Sequence, residues 1–143
     1  MRITRSGSAT WQGGLKDGNG TVSLASGALT GHPYGFGSRF EAQHGTNPEE
    51  LIGAAHAGCF TMALSLILGE AGLTATRLET KAEVALEKLA DGFTITAVKL
   101  TLRGRVPGAD QTKFQELAHK AKVNCPVSKL LKAEITLEAS LEP

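Results

Sequence analysis

Apolar positions change their period along this chain, and each change marks a predicted element. In the first forty residues, short runs are broken by Gly13-Gly14, Asp17-Gly18-Asn19-Gly20, Ser26-Gly27 and His32-Pro33, the punctuation of a β-meander. A long helix is predicted from about Pro48 to Ala71, with Asn47 as N-cap, Pro48 in the first helical position, Glu50 completing a capping box and Gly72 as the stop. From Leu78 to Leu86 the pattern alternates. Leu78, Thr80, Ala82, Val84 and Leu86 share one face and Glu79, Lys81 and Glu83 the other, which reads as a half-buried strand. A second strand follows Asp91-Gly92, and its apolar parity switches from Phe93, Ile95 and Ala97 to Val98, Leu100 and Leu102, so a β-bulge is expected near Ala97. Asp110 caps an amphipathic, peripheral helix with Phe114, Leu117, Ala118 and Ala121 on one face. Cys125-Pro126 opens a shorter helix to about Leu131, and Ile135, Leu137, Ala139 and Leu141 alternate as a closing strand. The sum is an α+β fold, a mostly antiparallel sheet with helices on one side.

The long helix has a second message. Leu51 to Leu68 carries no Asp, Glu, Lys or Arg and is long enough to be taken for a membrane span. It also contains His56, Thr61, Ser65 and two glycines, and Glu49, Glu50 and Glu70 flank it, so a buried core helix is the expectation. Leu51, Ile52, Ala54, Ala55, Ala57, Phe60, Met62, Leu64 and Ile67 point in nearly every direction around its axis. Such a helix must be covered all round. The small residues Gly53, Ala54, Ala57 and Gly58 allow a second helix to come close, which predicts a two-fold homodimer. The alternative is a monomer whose C-terminal helices supply the cover.

Composition narrows the class. The chain has 143 residues, 41% of them hydrophobic, the size and mix of a single domain over residues 1–143. Lys plus Arg number 15 against 14 Asp plus Glu, with no long basic run, so neither nucleic acid nor an anionic membrane is an expected partner. A small neutral molecule suits the balance better. The N-terminal residues lack the apolar stretch of a secretory signal, which predicts a cytosolic protein, where structural disulfides are rare.

That setting makes the two cysteines informative. Cys59 lies mid-helix one turn after His56, in apolar surroundings that raise a thiol pKa, so it needs a cationic partner to react. Cys125 precedes Pro126 at a helix N-cap, where free backbone N–H groups favour a thiolate. From the residues alone either is eligible as a nucleophile, and each is also eligible as an inert buried hydrophobe. His56 and Cys59 at i, i+3, with Cys125 and His44 or His119, raise the option of a metal site. No close-spaced ligand pair recurs, so no metal or other cofactor is expected.

Two motifs carry a resemblance. The run Gly45-Thr46-Asn47-Pro48-Glu49-Glu50-Leu51-Ile52-Gly53-Ala54-Ala55-His56-Ala57-Gly58-Cys59-Phe60, with Asn124-Cys125-Pro126-Val127-Ser128 far downstream, resembles the OsmC/Ohr family of osmotically inducible and organic hydroperoxide resistance proteins. Tyr34-Gly35-Phe36, Arg39-Phe40, Met62-Ala63-Leu64-Ser65, Gly69-Glu70-Ala71-Gly72 and Leu131-Lys132-Ala133-Glu134-Ile135-Thr136-Leu137 are similar to the OsmC branch. In the Ohr branch the arginine sits in the first hairpin, where this chain has Gly13-Gly14-Leu15-Lys16.

The resemblance implies sheets packed on a long central helix, an intertwined homodimer, and two active sites at its interface. It implies a peroxidase acting on organic hydroperoxides, with Cys59 as peroxidatic and Cys125 as resolving cysteine. Arg39 would stabilise the Cys59 thiolate and orient the peroxide, and Glu49 would anchor Arg39. Tyr34, Phe36, Phe60 and Met62 are the expected lining for an alkyl tail. An external dithiol, such as a lipoylated protein, would reduce the resulting disulfide. Glu49 and Cys59 are ten residues apart, about 15 Å along a helix, so each site is expected to combine residues of both subunits. A non-catalytic ligand-binding or stress protein of the same fold is the competing function.

Overall fold

Three short strands form the meander that the early turn signals predict: β1 (Gly7–Gln12), β2 (Asn19–Leu24) and β3 (His32–Tyr34), antiparallel in that order. The computed structural model describes residues 1–143, in two compact units, Met1–Leu51 and Ile52–Pro143. Within the first, Trp11 pairs with Gly20, which pairs in turn with Tyr34. The Trp11 and Tyr34 rings pack across the glycine, their centroids 5.5 Å apart. A Cβ on Gly20 would stand 2.6 Å from one ring and 2.7 Å from the other, so only glycine admits both.

His32-Pro33 does not end a strand, as its composition predicts, but opens β3. Proline is tolerated because β3 lies at the sheet edge, where Pro33 serves as an acceptor, its carbonyl receiving the Thr46 N–H at 3.2 Å. A five-residue helix, α1 (Phe36–Phe40), follows. Ser38 stitches it down: its hydroxyl accepts from the Gly35 N–H at 3.0 Å and donates to the Thr46 carbonyl at 2.8 Å.

Helix α2 (Pro48–Glu70) begins where its signals place it. Asn47 Oδ1 accepts from the Glu50 N–H at 2.7 Å, but Glu50 does not complete a capping box: its carboxylate takes the Thr46 hydroxyl at 3.2 Å instead. At the other end Gly72 adopts φ +76°, and the Leu73 N–H closes back on the Leu68 carbonyl at 2.8 Å. That is the left-handed glycine stop.

In the second unit, β4 (Arg77–Leu89) and β5 (Gly92–Arg105) pair antiparallel, and β6 (Glu134–Leu141) joins β5 in parallel. Opposite Ala85 stands Ala97 and opposite Leu86 stands Ile95, so Thr96 is the extra residue of the bulge that the parity switch predicts. The parallel pairing follows from the crossover through α3 (Gln111–Asn124) and α4 (Pro126–Leu130), which returns the chain in the direction of β5.

The core lies between this sheet and the helices. Phe60, Leu64, Ile67 and Leu68 of α2 meet Val98, Leu100 and Leu102 of β5 and Phe114, Leu117, Ala118 and Ala121 of α3. Each fully buried Phe or Leu contributes about 1.5–3 kcal/mol. Gly104 is part of the fit, since a Cβ there would lie 2.7 Å from Phe114.

The long helix corrects its own expectation. Only 33% of its 18-residue apolar window is buried within the chain, although by length and composition it is apolar enough to cross a membrane. Gly53 is buried against the chain's own β4, where an added Cβ would meet the Ala82 carbonyl at 3.1 Å, so it does not serve a second helix. Ala54, Ala55, Gly58, Met62, Ser65 and Leu66 are exposed.

Candidate active site

Helix breaking places the first site residue. The ring of Pro126 bars Cys125 from helical geometry, and Cys125 takes ψ 126° as both the last cap of α3 and the N-cap of α4. Its N–H still bonds to the Ala121 carbonyl at 2.9 Å, and its thiol is completely buried in the core cluster. Cys59, on α2, is half-buried. Both cysteines are free thiols, and Cys125 is close enough to Cys59 to act on its ionisation.

Burial pushes the Cys59 thiol above its ordinary pKa. The Val127 N–H opposes this by donating to the Cys59 sulfur, and the neighbouring Cys125 reinforces the rise. Val127 is the second residue of α4, so its N–H has no partner within that helix. The free donor that the sequence predicts at this helix start therefore serves Cys59 rather than Cys125.

Cys59 opens on a cleft of about 480 Å³. Met62, Ala63, Leu66 and Ile67 form its apolar side, while Glu70, Lys120 and Asn124 provide polar groups. Met62 thus occupies a lining position. Phe60 does not: it is completely buried in the core and is absent from the lining of this cleft.

The second cluster is built on α1 and the first turn of α2. Arg39 Nε donates to Glu49 Oε1 at 2.9 Å and its Nη2 to Oε2 at 3.0 Å, a bidentate pair. Glu49 is 9% exposed, and the position in the first turn of α2 also suits its charge. The guanidinium lies over the Phe40 ring at 5.4 Å. With Trp11, Leu15, Tyr34 and Phe36, Arg39 and Phe40 line a cavity of about 170 Å³, so Tyr34 and Phe36 belong to the arginine's surroundings. Trp11, Leu15 and Phe40 were not singled out as site residues from the sequence; the β1–β2 register, which pairs Trp11 with Gly20, places Trp11 there.

His56 is also completely buried. Its Nε2 meets Ser128 Oγ at 2.8 Å, and its Nδ1 has no hydrogen-bond partner. Burial holds its pKa below the ordinary histidine value, so the ring is neutral at pH 7. No set of three His, Cys, Asp or Glu side chains is arranged to hold a metal ion.

The profile of the OsmC family, described as OsmC-like protein, matches residues 40–140. The chain is 56% identical over 142 residues to the peroxiredoxin OsmC of Escherichia coli strain K12, covering 99% of both chains. The crystal structure of the organic hydroperoxide resistance protein OhrB of Bacillus subtilis superposes with a TM-score of 0.70 at 29% identity, covering 94% of this chain and 98% of that one. An organic hydroperoxide resistance protein of Elizabethkingia anophelis matches with a TM-score of 0.73 at 26% identity, over 99% of this chain and 100% of that one. This α+β chain belongs to the OsmC family, whose relatives include peroxiredoxins and hydroperoxide resistance proteins.

Proposed function

We propose that this chain is a thiol-dependent peroxidase that reduces organic hydroperoxides to alcohols, with Cys59 as the attacking and Cys125 as the resolving thiol. The observation that carries the assignment is the unequal access of two neighbouring free thiols: Cys59 borders a cleft, whereas Cys125 is completely buried. A peroxide reaches the first before the second. The names of the relatives, a peroxiredoxin and organic hydroperoxide resistance proteins, support the same chemistry.

The Cys59 thiolate attacks the terminal peroxide oxygen, the O–O bond breaks, and the leaving alkoxide takes a proton to become the alcohol. Cys59 is left as a sulfenic acid. Cys125 displaces its hydroxyl as water and a disulfide forms. An external dithiol, of which a lipoylated protein is one form, returns both cysteines to thiols. The apolar side of the cleft, Met62 with Ala63, Leu66 and Ile67, suits an alkyl substituent better than hydrogen peroxide.

Because burial raises the Cys59 pKa, attack near neutral pH needs a cation. Arg39 is that cation in this reading, held by Glu49 in a fork geometry that fixes its direction. The exposed apolar face of α2, with Met62 at 77% and Leu66 at 64% exposure, is covered by a second copy of the chain. That copy brings its own Arg39 and Glu49 to the thiol, and the enzyme works as a homodimer in the cytosol over a single domain, residues 1–143.

Intact mass after one equivalent of tert-butyl hydroperoxide tests the reading. A loss of two hydrogens is the expected result, and an unchanged mass with unconsumed peroxide sinks it.

A further inference from the structure

α4 is only five residues long, yet its start carries two groups that act on the Cys59 thiol: Cys125 at its N-cap and the Val127 N–H. A helix of this length has no stability of its own. Its position must come from outside: Val127 packs against the core, and Ser128 makes the side-chain hydrogen bond from α4 to α2, to His56 Nε2 at 2.8 Å. His56 lies one turn before Cys59 on α2, and Ser128 three residues after Cys125, so this bond adds a directed polar tie between the segments bearing the two thiols to the apolar packing of Cys125 and Val127.

The state of the ring fits a fixed anchor. With Nδ1 unpartnered and buried, the economical tautomer keeps Nδ1 as a bare acceptor and Nε2–H as donor to the Ser128 oxygen, because a buried unpaired N–H is the costlier orphan. A neutral, completely buried donor on a rigid 23-residue helix has one geometry to offer.

We propose that His56 and Ser128 are positioning residues for disulfide closure: their hydrogen bond pins α4 so that Cys125 meets the sulfenic acid of Cys59 before a second peroxide does. This rests on the peroxidase reading above. With the anchor in place, Cys59–SOH and Cys125–SH give the disulfide and water. Without it, a second hydroperoxide transfers its oxygen to the sulfenic acid, leaving a sulfinic acid and a second molecule of alcohol.

The test uses the full chain, tert-butyl hydroperoxide and dimedone, a trap for sulfenic acid, with products identified by intact mass. The parent should lose two hydrogens and take up no dimedone. In Ser128→Ala, closure should slow about tenfold, the equivalent of one hydrogen bond. A dimedone adduct then appears at Cys59, and excess peroxide yields the sulfinic acid, while the first equivalent is consumed at a rate reduced much less. Ser128→Thr, which keeps a hydroxyl, should restore closure, and a melting curve for each variant records that it is folded. Closure at the parent rate in folded Ser128→Ala overturns the proposal. So does an equal slowing of both steps, which marks a general structural loss, and so does a Ser128→Thr chain that behaves like the alanine variant. An unfolded Ser128→Ala passes the decision to His56→Gln, whose amide nitrogen can replace Nε2; parent-like closure there supports the anchor and trapped sulfenic acid overturns it. A parent that forms no disulfide defeats the peroxidase reading itself, and the anchor with it.

Discussion

The N–H of Val127 donates to the sulfur of Cys59, so the start of α4 serves a thiol on α2 and not the cysteine at its own N-cap. A helix N-terminus stabilises negative charge, and here its free donor meets the thiol that borders a cleft. One donor does not offset burial, because the Cys59 pKa remains raised. The contact therefore orients the sulfur and leaves the larger share of activation to a cation.

The two thiols should fail differently. Cys59→Ser is expected to abolish peroxide consumption, while Cys125→Ser should consume about one equivalent per chain and then stall with Cys59 oxidised. Peroxide titration with intact mass reads both. A reversal of these outcomes would exchange the roles of nucleophile and resolver.

Glu49→Gln keeps the shape of the anchor but removes its charge and one acceptor of the bidentate pair with Arg39. A loosened guanidinium stabilises the thiolate less, so the pKa of Cys59, already raised by burial, should rise further. The rate of first-equivalent consumption is expected to fall about tenfold or more near neutral pH, and its pH profile to move to higher pH. A profile that keeps its midpoint would exclude the Arg39–Glu49 pair from thiol activation.

Subunit exchange checks where the pair acts. Glu49 precedes Cys59 by ten residues on α2, about 15 Å of helix axis, whereas an extended arginine side chain reaches about 7 Å. Mixing inactive Cys59→Ser with impaired Glu49→Ala protein should raise activity in heterodimers above that of either parent, because one of the two sites then carries both defects and the other neither. Proven exchange with no recovered activity would assign thiol and carboxylate to the same chain.

His56 gives stability a pH dependence of known sign. Its folded pKa lies below the ordinary value of 6.5, so as pH falls through 6.5 the unfolded chain takes up a proton that the folded chain refuses. Its contribution is intact above about pH 6.5 and declines below, with a slope of up to about 1.4 kcal/mol per pH unit until the folded pKa is reached. Urea midpoints of the parent and His56→Gln between pH 7 and 5 should diverge in that direction. Parallel curves would show that the ring is protonated as easily inside the fold as outside.

Local rules carried the sequence a long way. Asn47, Pro48 and Gly72 bound α2 because capping and left-handed turns depend on a few adjacent residues, and each holds in the structure apart from the second half of the capping box. The parity switch in β5 placed a bulge near Ala97, and the register has Thr96 as its extra residue, since a strand's two faces alternate strictly and an extra residue must exchange them. The apolar stripe of Phe114, Leu117, Ala118 and Ala121 is the buried face of α3. Cys59, Cys125, Arg39 and Glu49 stood out as candidates by residue type and motif. Their contacts were not. Whether Gly53 served a partner or the chain's own β4, whether Phe60 faced a cleft or the core, which thiol received the Val127 N–H, and that His56 found Ser128 all depend on how α2, α4 and the sheet pack. Residues 56 and 128 are separated by 72 positions, and no periodicity reaches that far. Sequence patterns report the direction a side chain leaves its own helix or strand; what it meets there is decided by the close packing of elements, and only tertiary structure supplies it.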